Sequence, residues 1–120
     1  MRLIILLFFS LVLSSCGSSI ENEDNVAAVP NNLLPKEQFV DMLTDSYMIE
    51  AAIRQGVGKG ENAEELSSFF YPKLFKKYHI SEQDFKENIR YYSSQPELMQ
   101  EIQTEVVDRL SLKEQELTNQ

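Results

Sequence analysis

An all-α fold, a small four-helix domain, is what the sequence predicts, and three observations carry the expectation. From Leu33 onward apolar residues recur at the three-and-four spacing of helices. No segment alternates at period two for long enough to be a strand. Pro35, Gly56, Ser81 and Pro96 stand where helices begin or stop.

The first helix is expected over 35–55, with Pro35 in its first turn and Gly56 at its end. Phe39, Met42, Leu43, Ile49 and Ile53 share one arc, flanked by Val40 and Tyr47. GVGKG, residues 56–60, reads as a flexible break. A phosphate loop would need four residues between its glycines, then Lys-Ser/Thr, and a preceding strand. A second helix is expected over 62–78, with Leu66, Phe70, Leu74 and Tyr78 four apart and a kink or restart near 68–71 ahead of Pro72. The third begins at Ser81, where Ser81 and Asp84 stand three apart as in a capping box, and it buries Phe85, Ile89 and Tyr92 before ending near 93–94. Pro96 opens a fourth helix to about 115, with Leu98, Ile102, Val106 and Leu110 on one face.

The N-terminal part reads differently. Met1 and Arg2 supply a positive start, and 3–13 is a nearly unbroken apolar run, too short for the roughly 20 residues of a membrane-spanning helix. Leu13-Ser14-Ser15-Cys16 looks like the lipobox of bacterial lipoproteins, with an apolar residue at −3, small residues at −2 and −1, and cysteine at +1. That pattern implies cleavage before Cys16 and lipidation of its thiol and new amine, which makes Cys16 the membrane attachment. Stable anchoring takes two or more acyl chains. The organisation expected is a signal peptide over 1–15, a lipidated Cys16 with a flexible acidic tether over 16–32, a helical domain over 33–115 and a disordered tail over 116–120. Gly17 at +2 is not the retaining aspartate of some species, which favours the outer membrane. The acids Glu21, Glu23 and Asp24 read as a solvated spacer; as a surface-sorting signal they start late, five residues after Cys16. The periplasmic face is therefore preferred to the cell surface.

Composition narrows the chemistry. The whole chain carries a net charge of −8, and removing residues 1–15 brings it near −9. Nucleic acid and anionic membrane surfaces are disfavoured as partners. One cysteine excludes an internal disulfide, and with one histidine no zinc set exists, so no metal or cofactor is expected. Glu37, Asp41 and Asp45 form a row along the first helix that reads as a solvated face. A row on one helix does not give a hard cation converging ligands.

Four side chains or groups invite a sharper reading. Counting from Phe39, Glu50 falls about 20° away, inside the apolar arc, where a carboxylate is costly unless paired. Arg109, on the apolar side of the fourth helix, is its candidate partner in a buried ion pair. The alternatives are an exposed core edge, a pair with Arg54, or a functional acid. His79 lies in the junction between the second and third helices and reads as a turn residue. Tyr71, Phe75 and Tyr91 belong to an aromatic-rich stretch and are a candidate interaction surface.

Asn-Leu-Leu-Pro at 32–35, Phe-Lys-Lys-Tyr-His-Ile-Ser at 75–81 and Ile-Arg-Tyr-Tyr-Ser-Ser-Gln-Pro-Glu at 89–97, with the lipobox and the acidic first helix, resemble one family. It is a family of Bacteroidota lipoproteins known as a domain of unknown function, number 4296. The resemblance covers about 32–112 and implies an envelope lipoprotein of a Gram-negative bacterium, without an activity. The expected function is non-enzymatic: a lipid-anchored module that binds another envelope protein as an accessory or assembly factor. The alternative is a small-ligand carrier. A hydrolase using Glu50 or His79 would need a pocket bringing two titratable groups together.

Overall fold

The computed structural model describes residues 26–119, and these contain four helices and no strand. They are α1 (Lys36–Gly58), α2 (Ala63–Tyr78), α3 (Glu82–Ser93) and α4 (Pro96–Thr118). The expected signal peptide, Cys16 and the first part of the tether lie outside the described residues.

Local chemistry sets most of the boundaries. Asn62 caps α2, its side chain accepting from the Glu64 and Glu65 N–H groups at 2.8 and 3.1 Å. Ser81 and Asp84 form the full reciprocal capping box at the start of α3. Pro96 occupies the first turn of α4.

Three expectations are corrected. Helix α1 does not stop at Gly56 but runs to Gly58, because the left-handed position that ends it is Gly60, at φ +92°. Glu61 N–H donates to Gly56 O and Gly60 N–H to Val57 O, both at 3.0 Å, which completes a Schellman cap. Gly56 is buried inside the helix, where a Cβ would come 2.5 Å from Leu66 Cδ1. Helix α2 continues through Pro72 without a restart. Helix α4 reaches Thr118, into the stretch assigned to the tail.

The same cap ends α2, with His79 in the left-handed position at φ +54°. His79 N–H donates to Lys76 O and Ile80 N–H to Phe75 O, and buried Ile80 joins the core. The lone histidine therefore serves through its backbone. Glycine meets no Cβ penalty there, so His79→Gly is expected to stabilise the fold by about 1 kcal/mol, a rise of about 4 °C in Tm by calorimetry.

Helix α1 is central and packs on both α2 and α4, while α3 packs on α4. The ion pairs Lys36–Glu101, Asp41–Arg109 and Asp45–Lys113 rise together along both chains, so α1 and α4 run parallel. Phe39, Val40, Met42, Ile102 and Val106 are fully buried between them. On α3, Tyr92 stacks on Phe39 with ring centroids 4.4 Å apart.

A strap ahead of α1 seals the other side. Ala27 N–H donates to Ser94 Oγ at 2.8 Å, Pro30 is buried, and Leu34 N–H donates to Asn88 Oδ1 at 2.8 Å. Asn88 Nδ2 donates to Asn32 O, and Tyr92 OH to Leu34 O. Packing thus begins at Ala27, inside the stretch whose composition reads as tether.

Candidate functional site

Helices α2 and α3 are joined by only three residues yet barely touch, so they form an elbow with an open concave side. A groove of about 680 Å³ fills that side. Its floor is Tyr71, Pro72 and Phe75 from α2 with Phe85 and Ile89 from α3. Phe75 bridges the two walls, its ring centroid 5.9 Å from that of Tyr71 and 6.0 Å from that of Phe85. The rim is Ser67, Ser68, Glu82 and Lys86, and the two charges neutralise each other in an i,i+4 pair at 2.6 Å. Pro72 has no N–H to give the Ser68 carbonyl, so one lip carries a main-chain acceptor free of its helical partner.

The predicted surface residues separate. Tyr71 and Phe75 are half-buried in this groove, whereas Tyr91 lies outside it, edge-on against Tyr92 at 5.3 Å and packed on the core. The three do not make one exposed patch. Phe85, Ile89 and Pro72 complete the groove instead. The signal for Phe85 and Ile89 was their place on the apolar arc of α3, which also fits simple core packing.

The Glu50–Arg109 pair does not form. In the parallel register residue i of α1 lies level with residue i + 68 of α4, so Arg109 meets Asp41. Glu50 sits nine residues further along, about 13 Å away by helical rise and roughly half-way round the helix. It accepts a hydrogen bond from Tyr71 OH instead. Burial, then that hydrogen bond, push the Tyr71 phenol up to about 12, so it keeps its proton near neutral pH. Arg54 meets only the Glu50 backbone carbonyl.

In the carboxylate row Glu37 and Asp41 are exposed, as expected of a solvated face, but Asp45 is not. Asp45 is 17 % exposed and accepts from Lys77 Nζ at 2.6 Å, Tyr78 OH at 2.8 Å and Lys113 Nζ at 3.0 Å, tying α1 to α2 and α4. Burial works to raise its pKa, but these three partners outweigh it and hold the carboxyl below its ordinary value. Tyr78 is pushed up, by burial first and by Asp45 second.

Net charge hides one local exception. Lys73, Lys77 and Lys113, from two helices, converge around a second, shallower hollow of about 290 Å³ floored by Met48, Ile49, Phe70 and Leu74. Among the described residues no group of three or more His, Cys, Asp or Glu side chains is placed to hold a metal ion. No helix among them is long and apolar enough to cross a membrane.

Residues 30–116 match the family described as Domain of unknown function (DUF4296). The match spans well over half of the chain, and the chain belongs to that family. No curated protein and no solved structure matches it.

Proposed function

We propose that this DUF4296 domain is a non-enzymatic, lipid-anchored envelope module that docks another envelope protein in the α2–α3 groove. Attachment is through the lipid expected on Cys16, at the periplasmic face of the outer membrane. The observation that carries the reading is the make-up of the groove, an aromatic and aliphatic floor under a rim whose charges cancel. Small-ligand sites add a few precisely aimed polar groups to such a floor. Here Tyr71 OH is committed to Glu50, and Glu82 to Lys86. What remains suits an apolar side chain or turn of a partner, with the Ser68 carbonyl as an acceptor at the lip.

A photo-reactive residue at Ser68 in the native envelope is expected to give one discrete protein adduct, and the same residue at exposed Gln103 on α4 none. Ile89→Ser, which removes part of the floor, should lower that adduct about tenfold, since losing a half-buried apolar anchor costs about 1–2 kcal/mol. Equal labelling from both positions would sink the reading. A second reading, the small-ligand carrier, is favoured by one observation: about 680 Å³ lies within the range of small-molecule sites. An apolar compound released on denaturing protein purified from its own membranes would support it.

A further inference from the structure

The opposite side of α2 carries a different surface. At 100° per residue, Ser68, Tyr71, Pro72 and Phe75 lie roughly half a turn from Phe69, Phe70, Lys73 and Lys77. Around the second hollow, Lys77 and Lys113 share the single carboxylate of Asp45, and Lys73 has no carboxylate within ion-pairing distance among the described residues. Three cations against one anion leave two positive charges in excess, on a chain that is strongly acidic overall. Lys73 Nζ stands 3.3 Å above the ring of Phe69. The large apolar side chains beside these lysines are turned to solvent: Phe69 is 56 % exposed, Met48 39 %, and Leu117, one turn beyond Lys113, 68 %.

Exposed cations interleaved with exposed apolar side chains match the boundary of a bilayer, where phosphates lie above the first methylenes. Carboxylates alone, on a protein partner, would satisfy the lysines and leave Phe69, Met48 and Leu117 in water, whereas one lipid carries both the phosphate and the methylenes. A free phosphate ion would leave the apolar floor of the hollow unused. We propose that the face formed by Lys73, Lys77 and Lys113 with Phe69 and Met48 docks on the membrane by taking the phosphate of an anionic lipid into this hollow. The inference is independent of what occupies the α2–α3 groove.

All the packing described lies within residues 26–119, so the chain from residue 16 onward, carrying Cys16→Ser to exclude an acyl chain, retains it. This protein is expected to sediment with vesicles of phosphatidylcholine containing phosphatidylglycerol, to fail to do so with phosphatidylcholine alone, and to be released by salt. Lys73→Ala should weaken the binding about fivefold and Lys73→Glu about thirtyfold, from the attraction of one basic residue near an anionic surface. Phe69→Ser should weaken it without a change of charge. Lys73 makes no ion pair and both residues are exposed, so these variants give up only the Lys73–Phe69 contact, about 0.5–1 kcal/mol, and their thermal melts should stay within a few degrees of the parent's. Sedimentation equal on the two vesicle types, absent from both, or unmoved by Lys73→Glu overturns the proposal. Saturable binding of inorganic phosphate alone, lost in Lys73→Glu, assigns the hollow to a free phosphate group and overturns it too.

Discussion

Asn88→Ala is expected to cost the fold about 4 kcal/mol, a large share of the 5–15 kcal/mol that holds a domain together. The side chain is fully buried on the inner face of α3. Its Oδ1 accepts from the Leu34 N–H at 2.8 Å, and its Nδ2 donates to the carbonyls of Asn32 and Asp84 at 2.9 and 2.8 Å. Truncation strands a buried N–H and a carbonyl of the strap, each at about 1–3 kcal/mol, and opens a small cavity. Three hydrogen bonds would still hold the strap: Tyr92 OH to Leu34 O, Ala27 N–H to Ser94 Oγ, and a long, exposed one from Asn32 Nδ2 to Asp84 Oδ2 at 3.3 Å. Urea unfolding should show the loss, and limited proteolysis should cut within 27–35 first. Asn88→Leu separates volume from hydrogen bonding, because it fills the space but satisfies neither strap group. An unfolding midpoint equal to the parent's in Asn88→Leu would show that the strap does not depend on this side chain.

Asn88 also shows what kind of feature the sequence left open. The residue lies on the same helical arc as Phe85, Ile89 and Tyr92, just as Glu50 lies on the arc of Phe39 and Ile53. A polar residue on an apolar arc announces a buried partner, and both residues have one. Which partner depends on register. The segment met by Asn88 is extended and has no periodicity, and the partner of Glu50 depends on how α1 lies against α2. Features written within one turn of chain were legible: the capping box at Ser81 and the proline of α4. Three glycines within five residues competed to end α1, and only the backbone at Gly60 decided it. The groove needed the elbow between α2 and α3, and the lysine cluster needed α2 and α4 side by side. Neither is visible along the chain.

Under these two proposals α2 has two working faces. The groove opens on one and the lysines with Phe69 stand on the other, so a domain seated on the bilayer by its basic side would hold the groove away from the lipid, towards a partner. An anchor at Cys16 is separated from the first strap contact at Ala27 by ten residues, a span of up to about 35 Å if extended. Under both proposals a lipid on Cys16 and a weak electrostatic contact would act together, since attachment at one site raises the effective concentration of the second.

The hub that holds α1, α2 and α4 in the arrangement supporting both faces is Asp45, and Asp45→Ala is expected to cost about 2–3 kcal/mol in thermal or urea unfolding. The figure is below that of a fully buried pair because Lys77 and Lys113 keep 63 % and 42 % of their side chains exposed. It exceeds that of a surface pair because the carboxylate is largely covered and Tyr78 OH loses its acceptor. Acidity supplies an independent check. The carboxyl of Asp45 titrates below its ordinary value of 3.8 in the folded protein, so its contribution is fully present above that value and is lost as pH falls through the folded pKa. The gap in stability between the parent and Asp45→Asn should therefore hold steady from pH 7 to about 5 and close as the pH drops below about 4. A gap that stays constant into acid would mean that the carboxylate charge is not what joins the helices. A double-mutant cycle of Asp45→Ala with Lys113→Ala should return a coupling of about 0.5–1 kcal/mol, while Tyr78→Phe reports the neutral arm of the hub alone. Loosening this hub also shifts Lys77 and Lys113 in the basic hollow. Asp45→Ala should therefore weaken sedimentation with anionic vesicles even though it removes a negative charge, the reverse of what simple net charge predicts.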